Sequence, residues 1–355
     1  QLNGATKPPV LMVPALEVDM MEWVVARPEV AHAFVLARQG YDVWLLNNRG
    51  TRFSQAHVSL DPKSKEFWNF DWEDMGTKDL PATLDYISNA TGFEKVNYMG
   101  HSQGTTQIIA GSALDSDYFN SKINLAVLMA PPMSLKNCKD EAMVTASNPV
   151  ILQGITAVLE AAGQYNLIPY GSFSAGVTSG VCKLFDGAVC KFALKWFGGG
   201  DPNVDDMTRV PAFMSGLPSG SGYKNFVHYG QLMHTDTESF RRYDHGPIEN
   251  HKRYGQSTPP DYELAKIKYP IAMLAGTKDV LADPADVAWF HEQMKDTTVF
   301  FKGDYDLDHN SFAIAKDMSF FTKDAMAVLN HYNDKCDEST AGSSFEEGND
   351  KCVRE

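Results

Sequence analysis

Three residues in this chain have the types and the order needed for nucleophilic acyl chemistry: Ser102, Asp279 and His309. A serine hydroxyl is a poor nucleophile until a base takes its proton, and the base works best when a carboxylate orients its ring. Ser102 stands in "NYMGHSQGTTQII", framed by Gly100 and Gly104. A G-x-S-x-G match is common by chance, so the reading depends on its surroundings. Here the strand pattern "KVNYMG" runs into the serine and the helical pattern "GTTQIIAGSAL" leaves it, the context of a nucleophile elbow. Such a turn strains the serine backbone and requires small residues two before and two after. It also presents the hydroxyl above a helix N-terminus, where backbone N–H groups favour a developing oxyanion.

The acid and the base follow in the order Ser, acid, His, each after a further strand. Asp279 follows "IAMLAG" and His309 follows "TTVFF", with one helix and one strand between them. Other candidates have plainer roles. Asp283 and Asp286 suit the cap and first turn of a helix beginning near Pro284. His291 falls inside that helix and His331 at the end of the last one. His228, His234, His245 and His251 lie in an intervening segment, and His101 is expected to point off the opposite side of the turn.

Around these residues the chain alternates short apolar runs with helical patterns. "PVLMVPAL", "YDVWLLN", "KVNYMG", "INLAVLMAP", "YPIAMLAG" and "TTVFF" read as strands, and helices lie between most of them. That rhythm implies α/β architecture with a parallel sheet covered on both faces. It divides the chain into residues 1–133 (first part of the core), 134–258 (a mainly helical insertion), 259–332 (second part of the core) and 333–355 (an acidic tail). The tail, from Asn333, carries seven Asp/Glu against three Lys/Arg. It has little to bury, and Cys336 and Cys352 could close it into a loop.

The whole chain has 355 residues, 43% of them hydrophobic and 21% charged, which is the profile of a globular protein. With 31 Lys/Arg against 45 Asp/Glu, its formal charge of -14 argues against nucleic acid and against purely electrostatic docking on anionic membranes. No apolar run approaches the roughly 18 residues of a transmembrane helix. The sequence starts at Gln1 without Met, as it would after removal of a signal peptide, and Asn89-Ala90-Thr91 is a glycosylation acceptor in a secretory setting. The expected compartment is therefore outside the cell or in the lysosomal lumen. No metal or cofactor is called for by this chemistry.

Over nearly its whole length the sequence resembles the acid lipases, the family of gastric and lysosomal acid lipase. The resemblance is carried by "GYDVWLLNNRGT", "EFWNFDWEDMGTKDLPATLDYI", "YMGHSQGTT", "LMAPP", "YDHGPIENHKRYGQSTPPDY" and "GTKDVLADPADV". It implies an α/β-hydrolase core with a helical cap and lid, and hydrolysis of acylglycerols or steryl esters. The family's nucleophile, acid and base fall on Ser102, Asp279 and His309, the residues that strand order selects. Its oxyanion donors fall on the backbone N–H groups of Gln103 and Leu16. The family's His-Gly-Leu-Leu loop reads Pro14-Ala15-Leu16-Glu17 here, which spares the donor but stiffens the backbone before it. A family disulfide lies close to Cys182 and Cys190, with a spacing that differs by one residue. The expected pairs are Cys182–Cys190 and Cys336–Cys352, leaving Cys138 free.

The leading functional expectation is a serine hydrolase of lipid esters, triacylglycerol lipase or steryl ester hydrolase, acting on substrate at a lipid–water interface or in a cap pocket. The alternative is a binding or assembly protein that keeps the fold with weak or no catalysis. Its only support is the altered Pro14-Ala15 loop and a shorter stretch before the first strand than family members carry.

Overall fold

The structure is a computed structural model, and it describes residues 7–166, 168, 170 and 200–333. The four cysteines expected to pair, Cys182, Cys190, Cys336 and Cys352, lie outside the described residues, as does the tail after Asn333. Cys138 is half-buried with an unpaired thiol, and burial pushes that thiol up to about 12, so it stays protonated and inert.

Six strands form one sheet: β1 (Val10–Val13), β2 (Val43–Leu45), β3 (Val96–His101), β4 (Ile123–Met129), β5 (Ile271–Gly276) and β6 (Thr298–Tyr305). Their order is β2-β1-β3-β4-β5-β6, and every neighbouring pair is parallel. All carboxyl ends therefore point to one edge, where α/β proteins assemble their sites.

The strands are apolar on both faces because both are covered. In β1, Val10 and Met12 enter one core, while Leu11 and Val13 enter the other. In β5, Ala272 and Leu274 share the first side, and Ile271 and Met273 the second. Each fully buried side chain of this size contributes about 1.5–3 kcal/mol, so the sheet edge rests on a rigid foundation.

Helix boundaries follow local chemistry. The helix His32–Arg38 stops before Gly40, whose φ is 84°, and the helix Leu80–Thr91 is capped by Gly92 in the left-handed conformation. The latter carries Asn89 on its exposed side. Asp283 caps the helix Pro284–Gln293 by accepting from Ala285 N–H at 2.9 Å. Asp286 lies in its first turn, as expected, yet it is also buried and accepts from Ser134 Oγ at 2.8 Å and Asn137 N–H at 2.9 Å.

Between β4 and β5 the described residues include the helices Glu141–Ala146, Pro149–Ala161, Val210–Ser215, Tyr223–Met233 and Pro247–Tyr254 and the short helix Leu264–Lys266, joined by loops. The first residues of this segment are tied to the loop after β5. Val280 O accepts from Lys139 N–H at 2.7 Å and Asp140 N–H at 3.0 Å, and Lys139 Nζ pairs with Asp283. Among the described residues, no helix is long and apolar enough to cross a membrane.

Candidate active site

Ser102 joins β3 to the helix Gln103–Leu114 with φ 50° and ψ -119°. A non-glycine residue held there stores on the order of 1–3 kcal/mol of strain, and the surrounding structure must fix it. It does so from both sides. Ser102 N–H donates to Met129 O at 3.0 Å, while Ser102 O accepts from Thr105 N–H at 2.8 Å and Thr105 Oγ1 at 2.6 Å. The two framing glycines are required by contact. A Cβ on Gly104 would lie 2.2 Å from Val13 O, and one on Gly100 would lie 2.7 Å from Gly104 C. The start of the helix is thus pressed onto the end of β1. Ser102 is only 6% exposed.

The acid and base stand on adjoining strand ends. Gly276 ends β5 so close to the next loop that a Cβ there would lie 2.2 Å from Leu307 O. Lys278 N–H donates to Leu307 O at 3.0 Å and Thr277 N–H to Tyr305 O at 2.8 Å, locking the two loops together. His309 Nδ1 then meets Asp279 Oδ2 at 2.8 Å. The carboxylate is itself positioned, since its Oδ1 accepts from Leu281 N–H at 2.9 Å and Ala282 N–H at 2.8 Å. Both residues are buried. Burial alone would lower the basicity of His309, but the charge and hydrogen bond of Asp279 outweigh it and raise the imidazole above its ordinary value. With Nδ1 committed to Asp279, Nε2 is the nitrogen left to exchange a proton.

The elbow and the histidine loop are brought together. The rings of His101 and His309 lie 5.0 Å apart, centre to centre, and His101 Nε2 is 3.1 Å from His309 O. His101 therefore does not point away from the site, as expected from its place in the turn. It is buried against the histidine loop, because the carbonyl there offers its ring an acceptor. The remaining candidates stay outside the constellation: His228 stacks on Trp72 at 3.7 Å, His234 bonds Ser147 O at 2.9 Å, and His291 stacks on Phe301 at 4.1 Å.

Leu16 follows β1 and Gln103 opens the helix after Ser102. Among the described residues neither backbone N–H has a protein acceptor, so both are available to a ligand. The next residue in the loop, Glu17, is held at φ 60°. It is buried, and its Oε2 accepts from Gly220 N–H at 2.7 Å while its backbone O accepts from Ser219 N–H at 2.7 Å. Among the described residues Oε1 has no partner, and burial pushes this acid up to about 8. Sequence reasoning missed Glu17 because nothing in "PALEVD" signals burial of its carboxyl. No group of three or more metal-ligating side chains occurs among the described residues.

Residues 8–152 match the family described as alpha/beta hydrolase fold. The lipase lipl-1 of Caenorhabditis elegans is 33% identical over 297 residues, covering 81% of this chain and 70% of that protein. The gastric triacylglycerol lipase of Rattus norvegicus is also 33% identical, over 290 residues, covering 81% of this chain and 71% of the relative. A soluble variant of monoglyceride lipase from Saccharomyces cerevisiae, solved with a substrate analog, superposes with a TM-score of 0.51 at 14% identity, covering 93% of this chain and 88% of that one, which bears on the fold alone. At that identity and coverage the chain belongs to the acid lipase family, carboxylic ester hydrolases built on the α/β-hydrolase fold.

Proposed function

We propose that the chain hydrolyses the ester bonds of neutral lipids through Ser102, His309 and Asp279. The observation that carries this reading is the buried 2.8 Å bond from His309 Nδ1 to Asp279 Oδ2, at the sheet edge where the strained Ser102 turn also lies. In the proposed cycle, Ser102 Oγ attacks the ester carbonyl carbon as its proton passes to His309 Nε2. The carbonyl oxygen becomes an oxyanion and accepts from the N–H groups of Leu16 and Gln103, donors of a kind worth on the order of 10²- to 10³-fold in rate. The carbonyl re-forms, the bond to the leaving oxygen breaks, and His309 returns the proton to it, releasing the alcohol. Water then attacks the acyl-serine carbonyl carbon as His309 takes its proton; the carbonyl re-forms, the bond to Ser102 Oγ breaks, and His309 returns the proton to that oxygen as the fatty acid leaves. Asp279 stays ionised throughout and stabilises the imidazolium.

The helical segment between β4 and β5 serves in this reading as the cap. It leaves the sheet at the edge that carries the site, and its first residues are tied to the Asp279 loop. A roof there excludes water and gives long acyl chains an apolar wall. The proposed compartment is the secretory pathway, supported by the exposed Asn89 acceptor site. Hydrolysis of trioleoylglycerol, cholesteryl oleate and short p-nitrophenyl esters, compared from acid to neutral pH, tests the reading. Long-chain esters should be preferred, and turnover confined to p-nitrophenyl acetate would reject a lipid substrate.

A further inference from the structure

Glu22 lies in the short helix Met20–Val24 that follows the Leu16 loop, and it is almost completely buried. Its two carboxylate oxygens face different partners. Oε2 accepts from Ala15 N–H at 3.0 Å, and Oε1 bonds His101 Nδ1. The other nitrogen of His101 reaches His309 O at 3.1 Å. A continuous path thus runs from the loop that carries Leu16, through one carboxylate and one imidazole, to the backbone of His309.

Counting donors fixes the protons along this path. His309 O can only accept, so His101 Nε2 carries a hydrogen. Glu22 Oε2 accepts from Ala15 N–H, so that oxygen carries no hydrogen. One hydrogen therefore lies between Glu22 Oε1 and His101 Nδ1. Neither side chain has room to serve bulk solvent, and neither belongs to the acid–base steps above.

We infer that Glu22 and His101 are positioning residues that hold the Leu16 donor loop and the His309 loop in one fixed relation. This inference rests on the triad reading. Glu22 fixes the Ala15 peptide through a side-chain acceptor, and so steadies the loop that presents the next N–H, that of Leu16. His101 does the same for the base, through its main chain. Both effects act on the transition state, since misplacement of such groups by about an ångström costs on the order of a hundredfold in rate. Substrate affinity is left largely unchanged.

The test compares Glu22→Ala and Glu22→Gln in the full chain on p-nitrophenyl butyrate, with near-ultraviolet circular dichroism to establish folding. Glu22→Ala should lower kcat by roughly a hundredfold with KM within a few-fold of the parent. Glu22→Gln should recover most of that loss, because its Oε1 can accept from Ala15 N–H while its amide donates to a neutral His101. A folded Glu22→Ala variant with kcat within threefold of the parent overturns the inference, as does a Gln variant that loses as much as Ala. Should the Ala variant not fold, the parent decides: nitrogen-15 spectra must show a hydrogen on His101 Nε2, and its absence overturns the path. A fluorophosphonate separates this from the reading beneath it. A parent that is not labelled at Ser102 removes the triad and this inference with it. A labelled parent with Glu22→Ala labelled equally fast removes this inference alone.

Discussion

Asp279 and His309 lie 30 residues apart in the chain and 2.8 Å apart at Oδ2 and Nδ1. One helix and one strand separate them, and the parallel pairing of β5 with β6 returns the second loop beside the first. Asp279→Asn should therefore do two things. It should cut kcat severely, because the asparagine amide favours the wrong imidazole tautomer. It should also move the acidic limb of the kcat/KM profile to lower pH. The sign follows from the base being active when neutral: the Asp279 charge stabilises the imidazolium and raises His309, and its removal lets the ring deprotonate at lower pH. Asp283→Asn, which alters only a helix cap and the Lys139 pair, should leave the pH profile in place. The reverse pattern would mean that the acid has been misassigned.

Ser102→Ala and His309→Ala should each reduce ester hydrolysis by several orders of magnitude, with no further loss when combined, because triad members act as a unit. Thermal unfolding of the serine variant should match the parent, since alanine keeps the Cβ and the turn at φ 50° and loses only the hydroxyl. Additive losses in the double variant would argue for independent roles.

Gly104→Ala probes the elbow by packing. The added methyl would meet Val13 O at 2.2 Å, backbone against backbone, so either the helix or the end of β1 must move. Overpacking of this kind costs typically 1–3 kcal/mol, and here the displaced strand end leads into the Leu16 loop. Stability and kcat should fall together. An unchanged Tm and rate would show that the approach is less tight than described.

Glu17 offers a stability test with a defined pH window. Its folded value of about 8 lies above the ordinary 4.5, so the native state holds a proton that the unfolded state releases between those values. Its penalty is thus absent below about pH 4.5 and grows as pH rises toward 8, at about 1.4 kcal/mol per pH unit. Glu17→Gln keeps an acceptor for Gly220 N–H and cannot ionise. The variant should melt several degrees above the parent near pH 7.5 and equally with it near pH 4.5. Equal melting at both values would show that Glu17 ionises freely in the folded protein.

What the sequence makes legible is what local pattern and chain order encode. Apolar runs alternating with helical periods announce all six strands. The Gly100–Gly104 frame marks the turn, and Asp283 before Pro284 marks a cap. The Glu22–His101 path was not legible, because its partners are 79 residues apart and nothing in either segment demands the other. Asp286 is similar: its place in a first turn is readable, but its bonds to Ser134 and Asn137 depend on how the segment after β4 folds back. Side-chain bonds between loops arise from tertiary packing, which has no period along the chain.

The central claim, that Ser102 is the nucleophile, is tested most directly by treating the full chain with a fluorophosphonate and locating the adduct by peptide mass spectrometry. The account predicts one phosphonyl group per chain on Ser102 Oγ, loss of esterase activity in proportion to labelling, and no adduct in the His309→Ala variant over the same interval. A fully active protein with Ser102 unmodified, or an adduct confined to another serine, would contradict it.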